Sequence, residues 1–370
     1  MKVFIIGGGI TGLSAAWVLQ KKAEVTLFEK TNRLGGWIRT VREQGFLFEK
    51  GPRTFPVERS PHLLRLVQEL GLPILYSDPS VHAKRYLLYR GKLRTPLSLL
   101  PRFLPAFLRE LFVAPSEHPD ESIYAFATRR FGPKIAETFF DPLTLGIYAG
   151  DIRKLSICAC FPALHQWERE KGSVLRGLWS QPRAQKRGLF TLQNGMESLV
   201  HALAEQLDVR LNSHVQFVDA HTIQIDGKTL HVDQVIWATP PELPARSLSV
   251  VNLGYDRPVL KKKAFGYLVP TQEKESLLGV LFDSAIFPAQ NLPHETRLTA
   301  MVRAEEPKPL EAALSALERH LQIQTPPVYT SVFRAEQAIP QFEVGCTYPY
   351  GLSVDACIQR GFEISRIPLF

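Results

Sequence analysis

The chain has 370 residues, a formal net charge of +8 and a hydrophobic fraction of 45%. This length favours two domains with a sizeable buried core, and the composition is that of a globular protein. The moderate positive charge suits attraction to a polycarboxylate or to anionic lipid. No zinc-finger spacing, RNP motif or lysine-rich tail occurs, so nucleic acid is not expected as a partner. The four cysteines form no C-x-x-C pair, so we expect neither a metal site nor a disulfide framework.

The chain opens with an apolar run, KVFII, that leads directly into Gly7, Gly9 and Gly12. This series predicts a strand, a tight turn and the start of a helix, as in dinucleotide-binding domains. Gly7 allows the turn, Gly9 lets the backbone approach a pyrophosphate, and Gly12 lets the helix pack closely on the strand. Because free N–H groups at a helix N-terminus favour phosphate oxygens, the segment predicts a pyrophosphate site. A purely structural glycine turn is the alternative.

A second predicted strand, VTLF, ends at Glu29, about 20 residues beyond the glycines, where a carboxylate can hold a ribose. Arg33, Gly35 and Gly36 follow almost at once. This second cluster resembles the extension found in FAD proteins of the glutathione-reductase type, within the flavin amine oxidase superfamily. An arginine beside two glycines suits a second approach to a pyrophosphate, although an ordinary turn remains the alternative. The N-terminal segment therefore predicts an α/β fold with a Rossmann-like FAD-binding domain.

The later elements follow from hydrophobic periodicity and from turn residues. In chain order we expect a helix at 60–72, a hairpin at 86–93, a mostly helical region at 94–185, a helix at 194–207, short strands through VIWATPP, alternating strands with one helix (310–321) at 250–335, and a tail in which a loop from QAIPQFEVG leads to a final helix. These elements predict a discontinuous FAD-binding domain (1–75, 186–248 and 336–370), a mixed-sheet substrate domain (76–93 and 249–335) and a helical subdomain (94–185) that could face a membrane.

The segment 96–115, PLSLLPRFLPAFLRELFVAP, comes nearest to a long apolar run. It is interrupted by prolines and arginines, so no spanning helix is expected. The segment could lie on a membrane surface with Arg102 and Arg109 at the headgroups, or form a pair of helices in the substrate domain. No signal peptide is expected, because the first predicted strand begins at Lys2. We therefore expect a cytoplasmic protein, peripheral at most on the inner face of the plasma membrane.

Several further strings occur in a distinctive order: RLGGWIRT, FEKGPRTF, KKKAFGYLVP, LGVLFDS, AIPQFEVG and GLSVDACIQRG. Together they resemble the protoporphyrinogen oxidase family of the FAD-dependent, oxygen-using type, over nearly the whole chain. The resemblance implies the six-electron oxidation of protoporphyrinogen IX to protoporphyrin IX, late in haem biosynthesis, with H2O2 as by-product. A hydride is implied to leave a bridging carbon for the flavin. The cofactor then supplies the chemistry, and the protein supplies position and electrostatics.

The resemblance also implies cofactor contacts, which lie in six parts of the chain. They are Gly7, Gly8, Gly9, Ile10, Thr11 and Gly12 in the phosphate turn; Glu29 and Lys30 at the ribose; Arg33, Gly36 and Trp37 around the second glycine cluster; Gly51, Pro52, Arg53 and Thr54 along the isoalloxazine; and Val215 on the adenine side with Leu352, Ser353 and Val354 near the flavin ring. Arg53, as a cation near the flavin, is also the predicted catalytic residue.

On the substrate side, the resemblance implies that Arg85 meets a propionate, that Phe265 and Leu268 sandwich a pyrrole ring, and that Met301 lines the same pocket. A tetrapyrrole needs flat apolar walls, and its propionates need a cation. The alternatives are that Phe265 and Leu268 are core residues alternating on a strand, and that Arg85 pairs with a surface acid.

Two segments are shorter than the family pattern. Cys346–Tyr350 connects AIPQFEVG directly to GLSVDACI, where the family carries a helix and a buried strand, and WATPPELPA (237–245) runs almost directly into the next strand. A non-catalytic flavoprotein that kept the fold is therefore one alternative function. Oxidation of coproporphyrinogen III to coproporphyrin III and another FAD-dependent, amine-oxidase-like activity are the others.

The partners implied by the resemblance are the porphyrinogen substrate and O2. A membrane surface, hand-over of the product to ferrochelatase, and a second copy of the chain in a homodimer could be added to these.

Overall fold

The computed structural model describes residues 1–82, 84–181, 188–225, 227–239, 242–346, 351 and 353–366. The chain separates into two compact units, and each has its own sheet and its own hydrophobic core. Unit 1 comprises Met1–Tyr76, Arg187–Glu242 and Pro349–Phe370, and unit 2 comprises Ser77–Lys186 and Leu243–Tyr348.

The strands of the described residues are β1 (Lys2–Ile6), β2 (Glu24–Phe28), β3 (Thr40–Glu43), β4 (Phe46–Glu49), β5 (Phe55–Pro56), β6 (Ile74–Tyr76), β7 (Arg85–Tyr89), β8 (Lys92–Arg94), β9 (Leu189–Leu192), β10 (Asp208–Arg210), β11 (Val215–Asp219), β12 (Thr222–Ile225), β13 (Lys228–His231), β14 (Gln234–Trp237), β15 (Ala245–Tyr255), β16 (Gly266–Leu268), β17 (Leu277–Leu281), β18 (Thr296–Arg303) and β19 (Tyr329–Pro340).

The helices of the same residues are α1 (Ile10–Leu19), α2 (Pro61–Glu69), α3 (Pro79–His82), α4 (Pro96–Glu110), α5 (Ile123–Phe131), α6 (Pro133–Ile135), α7 (Asp141–Tyr148), α8 (Ile157–Cys160), α9 (Pro162–Lys171), α10 (Val174–Ser180), α11 (Glu197–Ala204), α12 (Asp283–Ile286), α13 (Pro309–Leu321) and α14 (Val354–Ile364).

Unit 1 is built on a parallel sheet with the strand order β10-β2-β1-β14. The apolar runs KVFII and EVTLF form its central strands, because both faces of a parallel sheet are covered and tolerate continuous apolar sequence. Helix α1 packs on this sheet, and the last described helix, α14, packs against α1. The predicted helices at 60–72 and 194–207 are present as α2 and α11, and the predicted short strands are present as β10 to β14.

Unit 2 is built on a seven-stranded mixed sheet with the order β19-β15-β18-β17-β16-β7-β8, in which β7 and β16 are parallel. One face of this sheet carries a hydrophobic core that includes Tyr267, Val280 and Ala300, and α13 covers it with Ala313 and Leu317. The small residues on α13 allow the helix to approach the strands closely. The predicted open mixed sheet, the hairpin at 86–93 and the helix at 310–321 are therefore present.

The helical part of unit 2 runs from α4 to α10, as the sequence predicts. Segment 96–115, however, forms one helix over Pro96–Glu110 rather than the pair of helices proposed as one alternative. The internal prolines at 101 and 105 lack an N–H group, but both lie on the exposed side, where water can solvate the carbonyl groups left without a donor. No helix in the described part of the chain is both long enough and apolar enough to cross a bilayer.

Strand β19 corrects the prediction at the tail. We expected a loop from QAIPQFEVG onward, but residues through Pro340 continue a strand that pairs with β15. The β-forming residues of YTSVF extend the pairing, and Pro340 ends it because proline cannot donate to the ladder. Residues 336–340, which we assigned to the FAD-binding domain, therefore belong to the sheet of unit 2, as does the start of β15 at Ala245. The other predicted domain boundaries stay predictions.

Candidate functional site

The glycine turn after β1 has the geometry that a pyrophosphate requires. Gly7 adopts a φ of 112°, which favours glycine, and its N–H donates to the Phe28 carbonyl oxygen at 2.8 Å. A Cβ on Gly12 would overlap the carbonyl oxygen of Gly7, so only glycine fits there. At Gly9 an added Cβ would meet nothing within 4 Å. Since no described side chain caps α1 at Gly9, the turn leaves open space in front of the helix N-terminus.

Glu29 lies beside this turn, at the end of β2. Its carboxylate accepts hydrogen bonds from the Gly8 N–H at 2.8 Å, from the Thr31 N–H at 2.9 Å and from the Thr31 hydroxyl at 2.8 Å. These bonds fix the carboxylate next to the glycines, as a ribose-binding acid requires. Lys30 is exposed beside it. Val215, the predicted adenine-side residue, packs against Ile6 and Phe28, and so it lies at the same end of the sheet.

The second glycine cluster adjoins the first, because a Cβ on Gly36 would lie 3.5 Å from the Gly9 Cα atom. Arg33 organises this turn: its guanidinium donates to the carbonyl oxygens of Gly36 at 2.7 Å and Ile38 at 2.6 Å, and lies 3.5 Å from Glu197. These bonds give Arg33 a structural task. Its predicted contact with a pyrophosphate stays a prediction.

The segment from Gly51 to Thr54 crosses close to the second cluster. A Cβ on Gly51 would overlap the carbonyl oxygen of Trp37, so the two stretches of backbone are in contact. The Trp37 side chain is 43% exposed, whereas Arg53 is only 7% exposed. The Nη2 atom of Arg53 donates to the Glu49 carbonyl oxygen at 2.9 Å. Pro52 and Thr54 are half-buried on either side of Arg53.

The last described helix brings the C-terminal residues to the same place. Gly361 of α14 packs on the Thr11 carbonyl oxygen, where an added Cβ would lie 2.6 Å away, and Lys22 Nζ donates to the Ser365 carbonyl oxygen at 3.1 Å. Helices α1 and α14 therefore run in the same direction, and α14 lies beside the first turn of α1. The Ser353 hydroxyl caps α14 by accepting from the Ala356 N–H at 3.1 Å, while Leu352 lies outside the described residues.

Sequence reasoning missed the residue that anchors α14. Asp355 is 7% exposed and accepts hydrogen bonds from the Leu63 N–H at 2.8 Å and from His62 Nδ1 at 3.0 Å, both at the start of α2. Val354 beside it is buried in the core of unit 1. The available signal was an acidic residue in the first turn of a predicted helix. That signal alone indicates only a favourable charge near the helix dipole, and it does not identify the partners on α2.

Together the turn at Gly7–Gly12, the carboxylate of Glu29, the adjoining turn at Gly36, and the N-terminus of α14 fit a dinucleotide. The turn is open at Gly9, where the pyrophosphate is expected, whereas Gly12 and Gly51 are in close contact with neighbouring backbone.

The predicted substrate residues lie in unit 2, on the sheet face opposite α13. Strand register places Leu268 beside Gly279, Gly279 beside Met301, and Met301 beside Val250. Residues paired in this way point to the same face of a sheet. In the row two residues away, Arg85 pairs with Gly266 on that face. The sheet thus brings Arg85, Leu268 and Met301 together, and Leu268 and Met301 are half-buried.

Arg85 and Phe265 form a stacked pair. The guanidinium carbon of Arg85 lies 4.4 Å from the centre of the Phe265 ring, a cation–π distance. Desolvation by surrounding protein atoms lowers the pKa of Arg85, yet more than a third of its surface stays exposed. Phe265 precedes β16 and does not alternate with Leu268 along a strand, because the two are three positions apart and Gly266 between them has a φ of 146°.

Gly279, which the sequence analysis did not single out, shapes this face. It lacks a side chain between Leu268 and Met301, and the Leu268 side chain packs over it. A Cβ there would lie 2.7 Å from the Tyr267 carbonyl oxygen and 3.2 Å from Leu268 Cδ2. The signal was a glycine inside the apolar strand LLGVL, which marks a close backbone approach.

The chain matches the family model for flavin containing amine oxidoreductase over residues 10–243. Human protoporphyrinogen oxidase is 33% identical over 422 residues, which cover 93% of this chain and 88% of the human protein. Coproporphyrinogen III oxidase of Bacillus subtilis (strain 168) is 28% identical, covering 93% of this chain and 88% of that protein. The human alignment is longer than this chain of 370 residues, so the human protein has segments without a counterpart here.

A crystal structure from Exiguobacterium sp. 255-15 superposes with a TM-score of 0.82 at 23% identity, covering 98% of this chain and 97% of the other. This likeness shows the fold, an α/β unit with a mixed-sheet unit, and the identity to the curated relatives shows the ancestry. The chain therefore belongs to the flavin containing amine oxidoreductase family and is an FAD-dependent oxidoreductase.

Proposed function

We propose that this protein oxidises protoporphyrinogen IX to protoporphyrin IX, with bound FAD as the hydride acceptor, O2 as the final oxidant and H2O2 as the by-product. The relatives named for this activity are similar over most of both chains. The observation that carries the proposal is the sheet face on which Arg85 lies near the apolar row Leu268, Gly279 and Met301. A tetrapyrrole presents a broad apolar ring and carboxylates, which suit an apolar wall beside a cation.

In this proposal the residues of the chain bind and orient the substrate. Arg85 binds a propionate through a charge-assisted hydrogen bond, and Leu268 and Met301 exclude water from the ring. FAD supplies the redox chemistry when it is bound. The N-termini of α1 and α14 favour negative charge on the cofactor through their free N–H groups and dipoles.

The test is the appearance of porphyrin fluorescence from a porphyrinogen in air, measured with FAD-loaded protein and compared with a no-enzyme control that records autoxidation. We expect protoporphyrinogen IX to react faster than coproporphyrinogen III. A faster reaction with coproporphyrinogen III would replace the proposed substrate. FAD-loaded protein that gives only the autoxidation rate with both would favour a non-catalytic flavoprotein, and oxidation of amines alone would point to a different member of the family.

Arg53 is proposed as a cation that acts near the flavin. It is 7% exposed and held by a hydrogen bond to the Glu49 carbonyl oxygen, so its position is well defined. Arg53→Lys keeps the charge but loses the planar fork, and we expect it to lower kcat more than it raises KM. An unchanged kcat would remove Arg53 from the catalytic assignment.

We propose that helix α4 lies on a membrane surface. Leu104 and Leu108 are each 55% exposed and Phe112 is 85% exposed, while Arg102 and Arg109 are exposed nearby. An apolar strip flanked by cations suits the interface of an anionic bilayer. The corresponding location is the cytoplasm, with peripheral attachment to the inner face of the plasma membrane.

Flotation with vesicles of anionic and of zwitterionic lipid tests this attachment. We expect the protein to float with anionic vesicles and Leu104→Glu to abolish flotation, whereas Leu292→Glu, at a site 57% exposed elsewhere in unit 2, should not. Equal flotation of both variants would rule out α4 as the contact. Hand-over of the product to ferrochelatase and a homodimer also stay predictions, for which sedimentation of the pure protein and of its mixture with ferrochelatase is the measurement.

A further inference from the structure

Glu49 is a buried acid at the end of an apolar strand. All four residues of β4 (Phe46–Glu49) are buried, and Glu49 itself is only 6% exposed. The segment Gly51–Thr54 begins two residues later. A buried carboxyl group is costly unless it is hydrogen-bonded, so its partners indicate what the group does.

The partners of Glu49 come from two other parts of unit 1. Its Oε1 atom accepts from the Met196 N–H at 2.7 Å, and its Oε2 atom lies 3.0 Å from the Thr40 hydroxyl. Its carbonyl oxygen accepts from Arg53 at 2.9 Å. Glu49 therefore joins the start of α11, strand β3 and the segment that carries Arg53.

The contacts continue from Thr40 to the second glycine cluster. The Thr40 hydroxyl accepts from the Glu197 N–H at 3.0 Å, and the Glu197 carboxylate accepts from the Thr40 N–H at 3.2 Å. Glu197 in turn lies 3.5 Å from Arg33, which holds the turn at Gly36. One hydrogen-bonded network thus has Arg53 at one end and the Gly36 turn at the other.

We propose that Glu49 is a positioning residue for FAD: its carboxyl group holds the Gly51–Thr54 segment and the Gly36 turn in the relative arrangement that binds the cofactor. The inference rests on the proposed FAD contacts of these two segments. Glu49 acts through Arg53, Thr40 and Met196, and it need not touch the cofactor itself.

The environment of Glu49 makes this role sensitive to pH. Burial raises the pKa of Glu49 to about 7, against the lowering effect of the Met196 and Thr40 hydrogen bonds and of the Arg53 charge, while the Glu197 carboxylate adds to the rise. Arg53 and Glu197 are the charged groups that act on it. The ionised form is the better acceptor for Met196 and Thr40, and it attracts Arg53. The hydrogen bonds that position the two segments should therefore strengthen as the pH rises through neutrality, even though burying the charge lowers the stability of the fold.

The experiment is titration of apoprotein with FAD, followed by flavin fluorescence, at about pH 6 and about pH 8. We expect the wild type to bind FAD more tightly at the higher pH. Glu49→Ala should weaken binding about tenfold or more, because it leaves the Met196 N–H unsatisfied. Glu49→Gln, which keeps an acceptor and a donor of the same shape, should bind well but lose the pH dependence. Glu205→Gln, at an exposed position at the end of α11, is the matched control and should behave as wild type.

Wild-type affinity in Glu49→Ala would overturn the inference, and so would a wild-type pH dependence in Glu49→Gln. If Glu49→Ala does not fold, the pH profile of Glu49→Gln decides. Glu49-dependent FAD binding by a protein that leaves protoporphyrinogen IX unoxidised would refute the proposed substrate and leave the inference standing. Failure of the wild type to bind FAD would overturn both.

Discussion

The two units present their functional residues in different ways. In unit 1 the proposed cofactor contacts come mainly from backbone atoms, and glycines allow them because they have no side chain. A side chain on Gly12 would overlap the Gly7 oxygen, and one on Gly51 would overlap the Trp37 oxygen. In unit 2 the proposed substrate contacts are the side chains of Arg85, Leu268 and Met301 on one sheet face. We therefore expect substitutions in unit 1 to act through steric overlap with the backbone, and substitutions in unit 2 to act through loss of contact with the substrate.

The largest effect is expected for Gly12→Ala. The new Cβ must displace the backbone of the glycine turn, and such overpacking costs about 3 kcal/mol or more. Thermal unfolding of the apoprotein should show the destabilisation, and the purified protein should lack the yellow flavin absorbance. Wild-type stability of this variant would contradict the collision.

Gly9→Ala separates collision with the fold from collision with the ligand. Its φ of −72° is open to alanine, and its Cβ would meet no protein atom within 4 Å. We expect unchanged unfolding of the apoprotein but FAD affinity lower by about tenfold or more, because the methyl group occupies the space of the pyrophosphate. Wild-type FAD affinity would show that the pyrophosphate does not pass Gly9.

Glu49 should give unit 1 a distinctive pH dependence of stability. Its folded pKa of about 7 lies above the ordinary value of 4.5, so the folded state binds more protons between these values. The stabilisation is fully present below the unfolded pKa and is lost as the pH rises toward the folded pKa, by on the order of 3 kcal/mol. Urea unfolding of the apoprotein across this range, compared with Glu49→Gln, measures the difference. Parallel curves for the two proteins would refute it.

In unit 2 the largest expected loss is that of the Arg85 charge. Arg85→Ala should raise KM for protoporphyrinogen IX about tenfold to 150-fold with little change in kcat, because a charge-assisted bond to a propionate is worth about 1.5–3 kcal/mol. Arg85→Lys should recover part of the loss. Arg334→Ala, which removes an exposed arginine from β19 at the far edge of the same sheet, is the control. An equal rise in KM for both alanine variants would leave Arg85 without a specific role.

The smallest expected effect is that of Met301→Ala. Removing part of a half-buried apolar side chain should raise KM by about fivefold, corresponding to roughly 1 kcal/mol of lost apolar contact. Val332→Ala, at an exposed position on the other face of the same sheet, should have no effect on KM. If both variants raised KM alike, the assignment of the substrate to one face would fail.

This comparison also explains what could be predicted from the sequence. The glycine turn, the helix after it and Glu29 could be predicted because they follow from residue types at fixed spacing. The sheet face in unit 2 depends on register between strands far apart in the chain, and no local pattern reveals that Gly279 lies between Leu268 and Met301. The end of β19, residues 337–340, was missed for the same reason, since its pairing with β15 overrides a weak local pattern. Glu49 was missed because a single acid after three apolar residues does not identify its partners.

The contact between α1 and α14 has a consequence for how the protein folds during its synthesis. Helix α14 follows the whole of unit 2 in the chain, yet it packs on a helix that begins at residue 10. On the ribosome the segment of the glycine turn is therefore synthesised first, and α14 follows only after more than 300 further residues. Throughout that interval the small residues of α1 that receive Gly361 have no partner from α14. We therefore expect flavin to bind only after α14 has been made, so that nascent chains stalled before α14 accumulate without flavin.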